Sequence, residues 1–392
     1  MSFYSVNSSS ETIDIINGGI FKPYTNGSKG NPTYFYYDSQ DLNNKFEKLA
    51  IYSNLKYWDT SITNYFSNNV DLRNIFTYNL INNTDSNYIQ YATNNGTLII
   101  ITNGTYMTFN NVNQFDYTIY MVAGGGGGGS NINKGNAGGG GGGGGVVKFN
   151  MSTTTLNFSK FDYNIGSGGN YAVNSDVTGG KGGNTEIYFY DDSSNFKGSV
   201  TVYGGGGGGS GKNAGGNGGT GGGGGSGSNS GPPGGGGQSP YIDLNSVGGG
   251  SFSFTGAPYS GGNGQKQSND NGAGGGGGGV TGAGASGSNA GGKGGSGFYD
   301  TIDNTNIYLG YGGGGGGGFG NSGGLGSGGA GTGGNGISDQ QKGNAASFNT
   351  NSNTINAGLG GGGVGNNGDD NNQFGNGNGS QGLILLHFTN KS

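Results

Sequence analysis

Few residues of this chain could take part in a reaction. The segment that most resembles a functional motif lacks the structure that such a motif needs next to it. A short apolar stretch, 121–123, leads directly into six glycines, 124–129, as a strand leads into the glycine turn of a dinucleotide site. Such a site needs a helix next. Here residues 131–137 are followed by a second unbroken glycine run, 138–145, which cannot form one. No Gly-Lys-Ser or Gly-Lys-Thr occurs, so a phosphate-binding loop is excluded as well.

Residues that could support carboxylate, histidine or thiol chemistry are equally few. His387 is the only histidine, and neither a metal-ligand spacing nor a nucleophile pattern surrounds it. The pairs Asp191-Asp192 and Asp369-Asp370 could offer oxygens to calcium, but acids in exposed turns are far commoner. The chain has no cysteine, which excludes disulfides and thiolate metal sites. We therefore predict a protein that is not an enzyme and that has no cofactor or metal.

Binding is better supported than catalysis, because aromatic residues interrupt the glycine-rich sequence at several places. Rings flanked by Asn, Ser and Asp suit contact with carbohydrate or a protein surface, where ring faces pack and amides hydrogen-bond. The alternative is that these rings cover a sheet or close the ends of a glycine array. The candidate receptor-contact residues in the predicted loops are Tyr241, Phe252, Phe254, Tyr259, Phe298, Tyr299 and Phe374.

These candidates must be positioned by the glycine-rich sequence, which holds nearly all of the 103 glycines. A flexible Gly/Ser linker is one interpretation, and an ordered array of extended helices is the other. A linker has no reason to keep a period, yet side chains recur at every third residue from Thr178 to Asn184, from Ala214 to Thr220 and from Ala290 to Ser296. The extended left-handed helix has three residues per turn, and we therefore predict the ordered array.

The same period predicts how the array packs. Each X-Gly-Gly helix would present one edge of side chains and two bare edges to close neighbours, and glycine-only runs would be enclosed on all sides. Such a helix has no internal hydrogen bonds, so its buried amides and carbonyls must pair with adjacent helices. Fixing the backbone costs about 1–2 kcal/mol per residue and a hydrogen bond returns about 1 kcal/mol. The array therefore needs an apolar framework.

That framework is predicted as a small antiparallel β-sheet or sandwich whose strand ends continue into glycine helices. Strands are expected where β-branched and aromatic residues cluster, or where apolar and polar residues alternate. The predicted strands are 98–102, 106–109, 117–122, 161–165, 186–190, 199–202, 307–309 and 383–388. The predicted fold class is mainly β, with packed polyglycine II helices.

A different kind of sequence, poor in glycine, occupies residues 1–84, and we predict a small mixed N-terminal region there, followed by the glycine-rich domain at 85–392. A weak repeat, Asp-Leu-x-Asn-x-Phe, occurs twice in it. Aspartate can cap a short helical turn that places Leu and Phe on one face. The pattern fits the ordinary packing of an adaptor as well as docking onto a larger assembly. The candidate attachment residues are Asp41, Leu42, Phe46, Asp71, Leu72 and Phe76.

Composition and charge limit the classes of partner that the chain is expected to bind. Charged residues make up 9% of the chain, the net charge is −5 and the pI is near 4.7, which argues against a nucleic-acid or anionic-membrane partner. The first residues lack the basic and apolar parts of a signal peptide, and the longest aliphatic runs, 98–101 and 383–386, are too short to span a bilayer. We expect a protein that stays inside a cell or leaves it by another route, such as lysis.

Two predicted strands that run directly into six glycines, 124–129 and 204–209, together with the X-Gly-Gly triplets and the terminal strand at 382–388, resemble the glycine-rich domain of viral structural proteins. That domain occurs in bacteriophage tail-tip adhesins and, in many copies, in large DNA viruses, where similar Asp-Leu-x-Asn-x-Phe segments often precede it. The resemblance covers about residues 90–388, with the lead-in at 60–80. It implies a sandwich of polyglycine II helices in a virion-surface or fibre protein whose loops contact a receptor.

The resemblance makes a virion structural or adhesion protein the leading expectation. Residues 1–84 would attach it to virion or fibre proteins, and the glycine domain would present loops to a host-surface glycan or protein. One alternative is an architectural protein that self-associates into a fibre or matrix. Another is an ice-binding protein, which needs a regular Thr or Ala face that the mixed outward positions lack. We expect a homo-oligomer on the virion surface, with no nucleic-acid or membrane partner.

Overall fold

A computed structural model of the chain describes residues 2–6, 13–17, 22–25, 33–36, 81–84, 88–93, 96–109, 115–130, 136–151, 158–173, 177–227, 232–244, 247, 258–266, 272–288, 290–316, 344–351, 353–363 and 377–390. The chain divides into two compact units, Met1–Asn82 and Asn83–Ser392. The described residues form strands and extended segments without any α-helix, so the predicted mainly β class is confirmed. Within those ranges no helix is long and apolar enough to cross a membrane.

Short strands make up the regular structure. In chain order they are β1 (Ser2–Val6), β2 (Ile13–Asn17), β3 (Lys22–Thr25), β4 (Thr33–Tyr36), β5 (Ile81–Thr84), β6 (Tyr88–Thr93), β7 (Gly96–Ile101), β8 (Tyr106–Phe109), β9 (Phe115–Val122), β10 (Val146–Met151), β11 (Lys160–Asn164), β12 (Thr185–Tyr190), β13 (Phe196–Val202), β14 (Tyr241–Asp243), β15 (Gln265–Lys266), β16 (Gly272–Ala273), β17 (Phe298–Ile302), β18 (Thr305–Leu309), β19 (Asn349–Asn351), β20 (Thr354–Ala357) and β21 (Leu383–Asn390).

The first unit is described only by its strands. β1 pairs with β2, and β3 pairs with β4, both antiparallel. The two Asp-Leu-x-Asn-x-Phe segments, 41–46 and 71–76, lie outside the described residues, and so do all six candidate attachment residues that they contain. Their predicted role stays a prediction.

The centre of the second unit is an antiparallel five-stranded sheet in the order β10-β9-β21-β7-β6. Its inner strands are buried on both faces, since residues 98–101, 119–122 and 383–386 are all at most 2% exposed. A strand covered on both faces reads as a continuous apolar run rather than an alternating one, which is the pattern of these three segments. The strands predicted in this part of the sequence are confirmed.

A four-stranded sheet covers one face of the five-stranded sheet. Its order is β17-β18-β20-β19, and β18 and β20 run parallel while the other neighbours are antiparallel. The two sheets share one hydrophobic core, made of Leu98, Ile100, Tyr120, Val122, Val146, Val280, Phe298, Ile302, Ile307, Leu309, Ile355, Ala357, Leu383 and Leu385. Because strand residues alternate between faces, the other face of the four-stranded sheet points away from this core.

A six-stranded sheet, in the order β14-β13-β12-β11-β8-β5, lies against the opposite face of the five-stranded sheet. β12 alternates strictly between buried and half-buried residues, so only one of its faces lies in a core. Phe158 links the two sheets, because its ring lies 6.5 Å from that of Tyr117 in β9 and 5.0 Å from that of Phe189 in β12. The five-stranded sheet is thus the middle of three layers.

The predicted antiparallel sheet or sandwich is confirmed as a sandwich, but it is larger than expected, with sheets of five, six and four strands. One expectation about individual segments is wrong. Residues 241–243 and 298–300 were expected in loops, but they lie in strands β14 and β17. Four of the five residues of β17 favour strands, so a local signal was present there. β14 has only three residues, and pairing with a neighbouring strand decides its conformation.

Candidate functional site

The glycine runs leave the sheet ends and hydrogen-bond to other segments. The N–H groups of residues 124–129 donate in turn to three neighbours at 2.7–3.0 Å, and each neighbour recurs at every third residue. The accepting neighbours are segments 180–183, 377–380 and 139–142. The carbonyls of 124–128 accept from three other segments, which contain residues 205–208, 169–172 and 361. This run therefore has hydrogen-bonded neighbours in six directions.

The second central run, residues 138–145, has the same arrangement. Its N–H groups at 139–145 donate at 2.7–2.9 Å to segments 203–209, 275–278 and 358–361. Its carbonyls accept from segments 313–316 and 123–129 and from Gly223. Every residue of both central runs is buried, as predicted for glycine-only runs enclosed by neighbours.

Packing leaves no space for a side chain at the glycines of the two central runs. A Cβ atom built on Gly127 would lie 2.0 Å from the carbonyl oxygen of Asn170, and one built on Gly141 would lie 2.0 Å from that of Gly126. At one edge of the array Thr178 and Lys181 are exposed, whereas Gly179 and Gly182 are buried. The exposed side chains of this segment therefore lie three residues apart.

Buried hydroxyl groups join the glycine segments to each other and to the sheets. The Oγ1 of Thr220 lies 2.7 Å from the carbonyl oxygens of both Gly143 and Gly278. The Oγ1 of Thr185 accepts from the N–H of Gly166 and donates to the carbonyl of Val122 at 2.9 Å. Sequence reasoning missed Thr185, and it placed Thr220 on the outward edge of the 214–220 segment. This placement is wrong, because Thr220 is fully buried. A signal was present for Thr220, which is a lone hydroxyl residue bounded on both sides by glycines.

The candidate receptor-contact residues lie in different environments. Tyr241, in edge strand β14, is 54% exposed, Tyr259 is 39% exposed and Tyr299, in β17, is 52% exposed. Phe298 is only 7% exposed and belongs to the core between the five- and four-stranded sheets, so its predicted receptor contact is wrong. Three further candidates, Phe252, Phe254 and Phe374, lie outside the described residues.

The outer face of the four-stranded sheet gathers uncharged hydrogen-bonding side chains into two cross-strand rows. One row runs Tyr299, Tyr308, Asn356, Asn349, and the other runs Thr301, Asn306, Thr354, Asn351. The rings of Tyr299 and Tyr308 lie 5.1 Å apart and are tilted by 37°, and the hydroxyl of Tyr299 donates to Oδ1 of Asn306 at 2.9 Å. The sequence had indicated only Tyr299 on this face.

The mostly buried Tyr311 ring supports this pair from one side, 6.1 Å from the ring of Tyr308. Burial, followed by the proximity of Tyr308 and Tyr299, raises the pKa of Tyr311 to about 12. At the other end of the row, Nδ2 of Asn356 donates to Oγ of Ser347 at 3.3 Å, while its buried Oδ1 has no hydrogen-bond partner. In the row that contains Tyr299, the accessible aromatic part is therefore on β17 and β18.

A second aromatic surface lies on the outer face of the six-stranded sheet. The Nζ of Lys160 lies 5.5 Å from the ring centres of both Tyr106 and Tyr190, and it forms an ion pair with Asp162 at 2.8 Å. The ring of Phe196, which is 53% exposed, contacts Tyr190 at 6.0 Å. Unlike the first surface, this one carries charges that pair with each other.

Ionisable groups collect where the five-stranded sheet meets the four-stranded sheet. Oδ2 of Asp300 accepts from Nζ of Lys148 at 2.7 Å and from the hydroxyl of Tyr120 at 2.9 Å. Burial alone would raise the pKa of Asp300, but the hydrogen bonds from Lys148, from a backbone N–H and from Tyr120 outweigh it and hold the pKa below its usual value. His387 pairs with Oγ1 of Thr93 at 3.1 Å, and burial lowers its pKa. The Lys148–Asp300 ion pair is about one quarter exposed, so it lies at the edge of the core.

In the acidic turn at 191–195, the carboxylate oxygens of Asp191 accept hydrogen bonds from the turn itself. Asp191 accepts from the N–H groups of Ser193 and Asn195 and from the side chain of Asn195, and Lys197 forms an ion pair with it at 2.8 Å. The bond from Lys197, followed by those from Asn195, lowers the pKa of Asp191. Asp369 and Asp370 lie outside the described residues. Among the described residues no group of three or more acidic, His or Cys side chains is placed to hold a metal ion.

No protein-family model matches the chain, and no curated protein matches it. The functional argument therefore depends on the geometry. The described residues offer a close-packed glycine array held by three sheets, and two outward sheet faces that carry aromatic side chains. Such a molecule can present fixed surfaces for binding.

Proposed function

We propose that this chain is a structural and adhesion protein of a virion surface, in which polyglycine II helices form a rigid scaffold that presents surface groups to a host. The observation that carries the proposal is the hydrogen-bonding of the glycine runs in six directions with a period of three residues. The viral setting comes from the resemblance of the sequence to the glycine-rich domain of viral structural proteins.

The period supports the helical form of the glycine segments. Hydrogen bonds inside α-helices connect residues four apart, whereas the bonds of residues 124–129 all go to distant segments. A polyglycine II helix turns once in three residues and has no internal hydrogen bonds, so successive N–H groups point in three directions. Those directions match the three accepting neighbours of the 124–129 run.

The scaffold also explains why so few apolar residues suffice. Hydrogen bonds between bare backbones hold the interior of the array, and the three sheets fix the chain where it enters that interior. At Ala123, for example, the N–H donates to the carbonyl of Gly145 at 3.1 Å, directly after β9 ends. A surface held in this way loses little conformational entropy on binding. This property suits an adhesin.

Two measurements test the proposal. Mass spectrometry and immunogold microscopy of purified virions are expected to place the chain on the particle surface, attached through residues 1–84 to virion or fibre proteins. The purified full chain is expected to bind host cells saturably. Absence from virions together with no cell binding would remove the proposal. Concentration-dependent growth into fibres without cell binding would favour the architectural alternative, which light scattering can measure.

A further inference from the structure

We propose that the outer face of the four-stranded sheet binds a neutral oligosaccharide, with the ring of Tyr299 as its stacking platform. This inference deepens the proposed adhesive function and rests on it for its biological meaning. The class of ligand is argued from side chains that the sheet pairing brings side by side and that the sequence scatters between residues 299 and 356.

The aromatic part of the face fits a sugar ring. Tyr299 is 52% exposed, and its hydroxyl is fixed by the bond to Oδ1 of Asn306 at 2.9 Å. The neighbouring Tyr308 ring lies 5.1 Å away, tilted by 37°, and packs against Tyr299. An aromatic ring held in place offers an apolar surface at little entropic cost. The C–H face of a pyranose is the matching surface.

The polar part of the face fits hydroxyl groups. Thr301, Asn306, Thr354 and Asn351 follow one another across four neighbouring strands. Strands lie about 4.8 Å apart, so this row extends about 14 Å, which gives room for an oligosaccharide. Amide and hydroxyl groups both donate and accept hydrogen bonds, as sugar hydroxyls do.

Charge selects a neutral ligand over an acidic one. Neither row contains Lys, Arg, Asp or Glu. The turn between β17 and β18 carries the exposed Asp303, whose negative charge disfavours an anion at that end. The six-stranded sheet also carries exposed rings, but Lys160 there is held between Tyr106 and Tyr190 and paired with Asp162. That surface has no comparable uncharged rows.

Glycan-array binding of the full chain, followed by saturation-transfer NMR with cellohexaose, lacto-N-tetraose and sialyllactose, tests the inference. We expect binding to neutral glycans and none that depends on sialic acid. Tyr299→Ala should weaken neutral-glycan affinity about tenfold, because the stacking surface is lost. The matched control is Phe196→Ala. It removes a ring of similar exposure from the outer face of the six-stranded sheet, and it should leave the affinity for neutral glycans unchanged.

A second variant guards against unfolding. Thr301→Arg adds a bulky cation to an exposed outer position without removing a core contact, and it should abolish neutral-glycan binding while thermal unfolding stays that of the wild type. Binding to acidic glycans alone, binding to no glycan, or equal binding by the wild type and Tyr299→Ala would each overturn the inference. If Tyr299→Ala leaves glycan binding unchanged while the chain still binds host cells, the adhesive function stands and only this site is refuted.

Discussion

Gly141 offers the sharpest test of the glycine array. A Cβ atom at this position would lie 2.0 Å from the carbonyl oxygen of Gly126, and restoring an ordinary 3.4 Å contact requires a shift of about 1.4 Å between two adjacent runs. Gly141 is not among the glycines with positive φ, so alanine suits its backbone conformation. The cost of Gly141→Ala is therefore steric.

The magnitude follows from the bonds that such a shift would break. Gly126 donates to the carbonyl of Gly142 at 2.8 Å and accepts from the N–H of Gly361 at 2.9 Å. Losing both costs about 2 kcal/mol, and overpacking adds about 1–3 kcal/mol. Alanine returns about 0.4–1 kcal/mol by restricting the unfolded chain. We expect Gly141→Ala to lower the free energy of unfolding by about 3 kcal/mol.

Hydrogen exchange of the full chain, read on peptides covering 136–151, measures this loss. About 3 kcal/mol corresponds to roughly hundredfold faster exchange of the slowest amides. Gly236→Ala is the control, because a Cβ there meets only the side-chain oxygen of Asn217 at 3.5 Å, and it should leave exchange unchanged or slower. Equal exchange in both variants would refute the close packing of the array.

Three further predictions concern the groups that hold the sheets and the array together. Thr220→Val should lower the free energy of unfolding by about 1–3 kcal/mol in urea titrations, because two buried carbonyls lose their shared donor. Asp300→Asn should cost about 1 kcal/mol at pH 7, since its ion pair with Lys148 is about one quarter exposed. The pKa of Asp300 is lowered by folding, so this contribution is present above its ordinary pKa of 3.8 and is lost as pH falls below it. Burial lowers the pKa of His387, so folding favours its neutral form, and wild-type stability should fall relative to His387→Gln as pH drops below 6.5.

Each of these has an outcome that contradicts it. Thr220→Ser keeps the hydroxyl and should cost less than Thr220→Val, so equal costs would show that the hydroxyl bonds contribute little. A stability difference between wild type and Asp300→Asn that stays constant from pH 7 to pH 2 would remove the ion-pair argument. Parallel stability curves for wild type and His387→Gln between pH 7 and pH 5 would show that His387 does not titrate differently on folding.

The sequence by itself determined the local order. Continuous apolar runs at 98–101 and 383–386 indicated strands, and the structure buries both faces of them because the five-stranded sheet lies between two others. The three-residue spacing indicated an exposed edge, and Thr178 and Lys181 are exposed, whereas Thr220, predicted from the same spacing, is buried. These features are local because each is fixed by the period of a single backbone conformation.

Only the tertiary structure decided which segments become neighbours. β14 has only three residues and β17 follows a glycine-rich segment, and both form strands where β13 and β18 pair with them. The same pairing buries Phe298 and exposes Tyr299, although both had been assigned to one loop. A strand turns alternate side chains to opposite faces, and which face meets the core depends on sheets that are distant in sequence. For the same reason the uncharged face around Tyr299 became visible only when four separate strands were placed side by side.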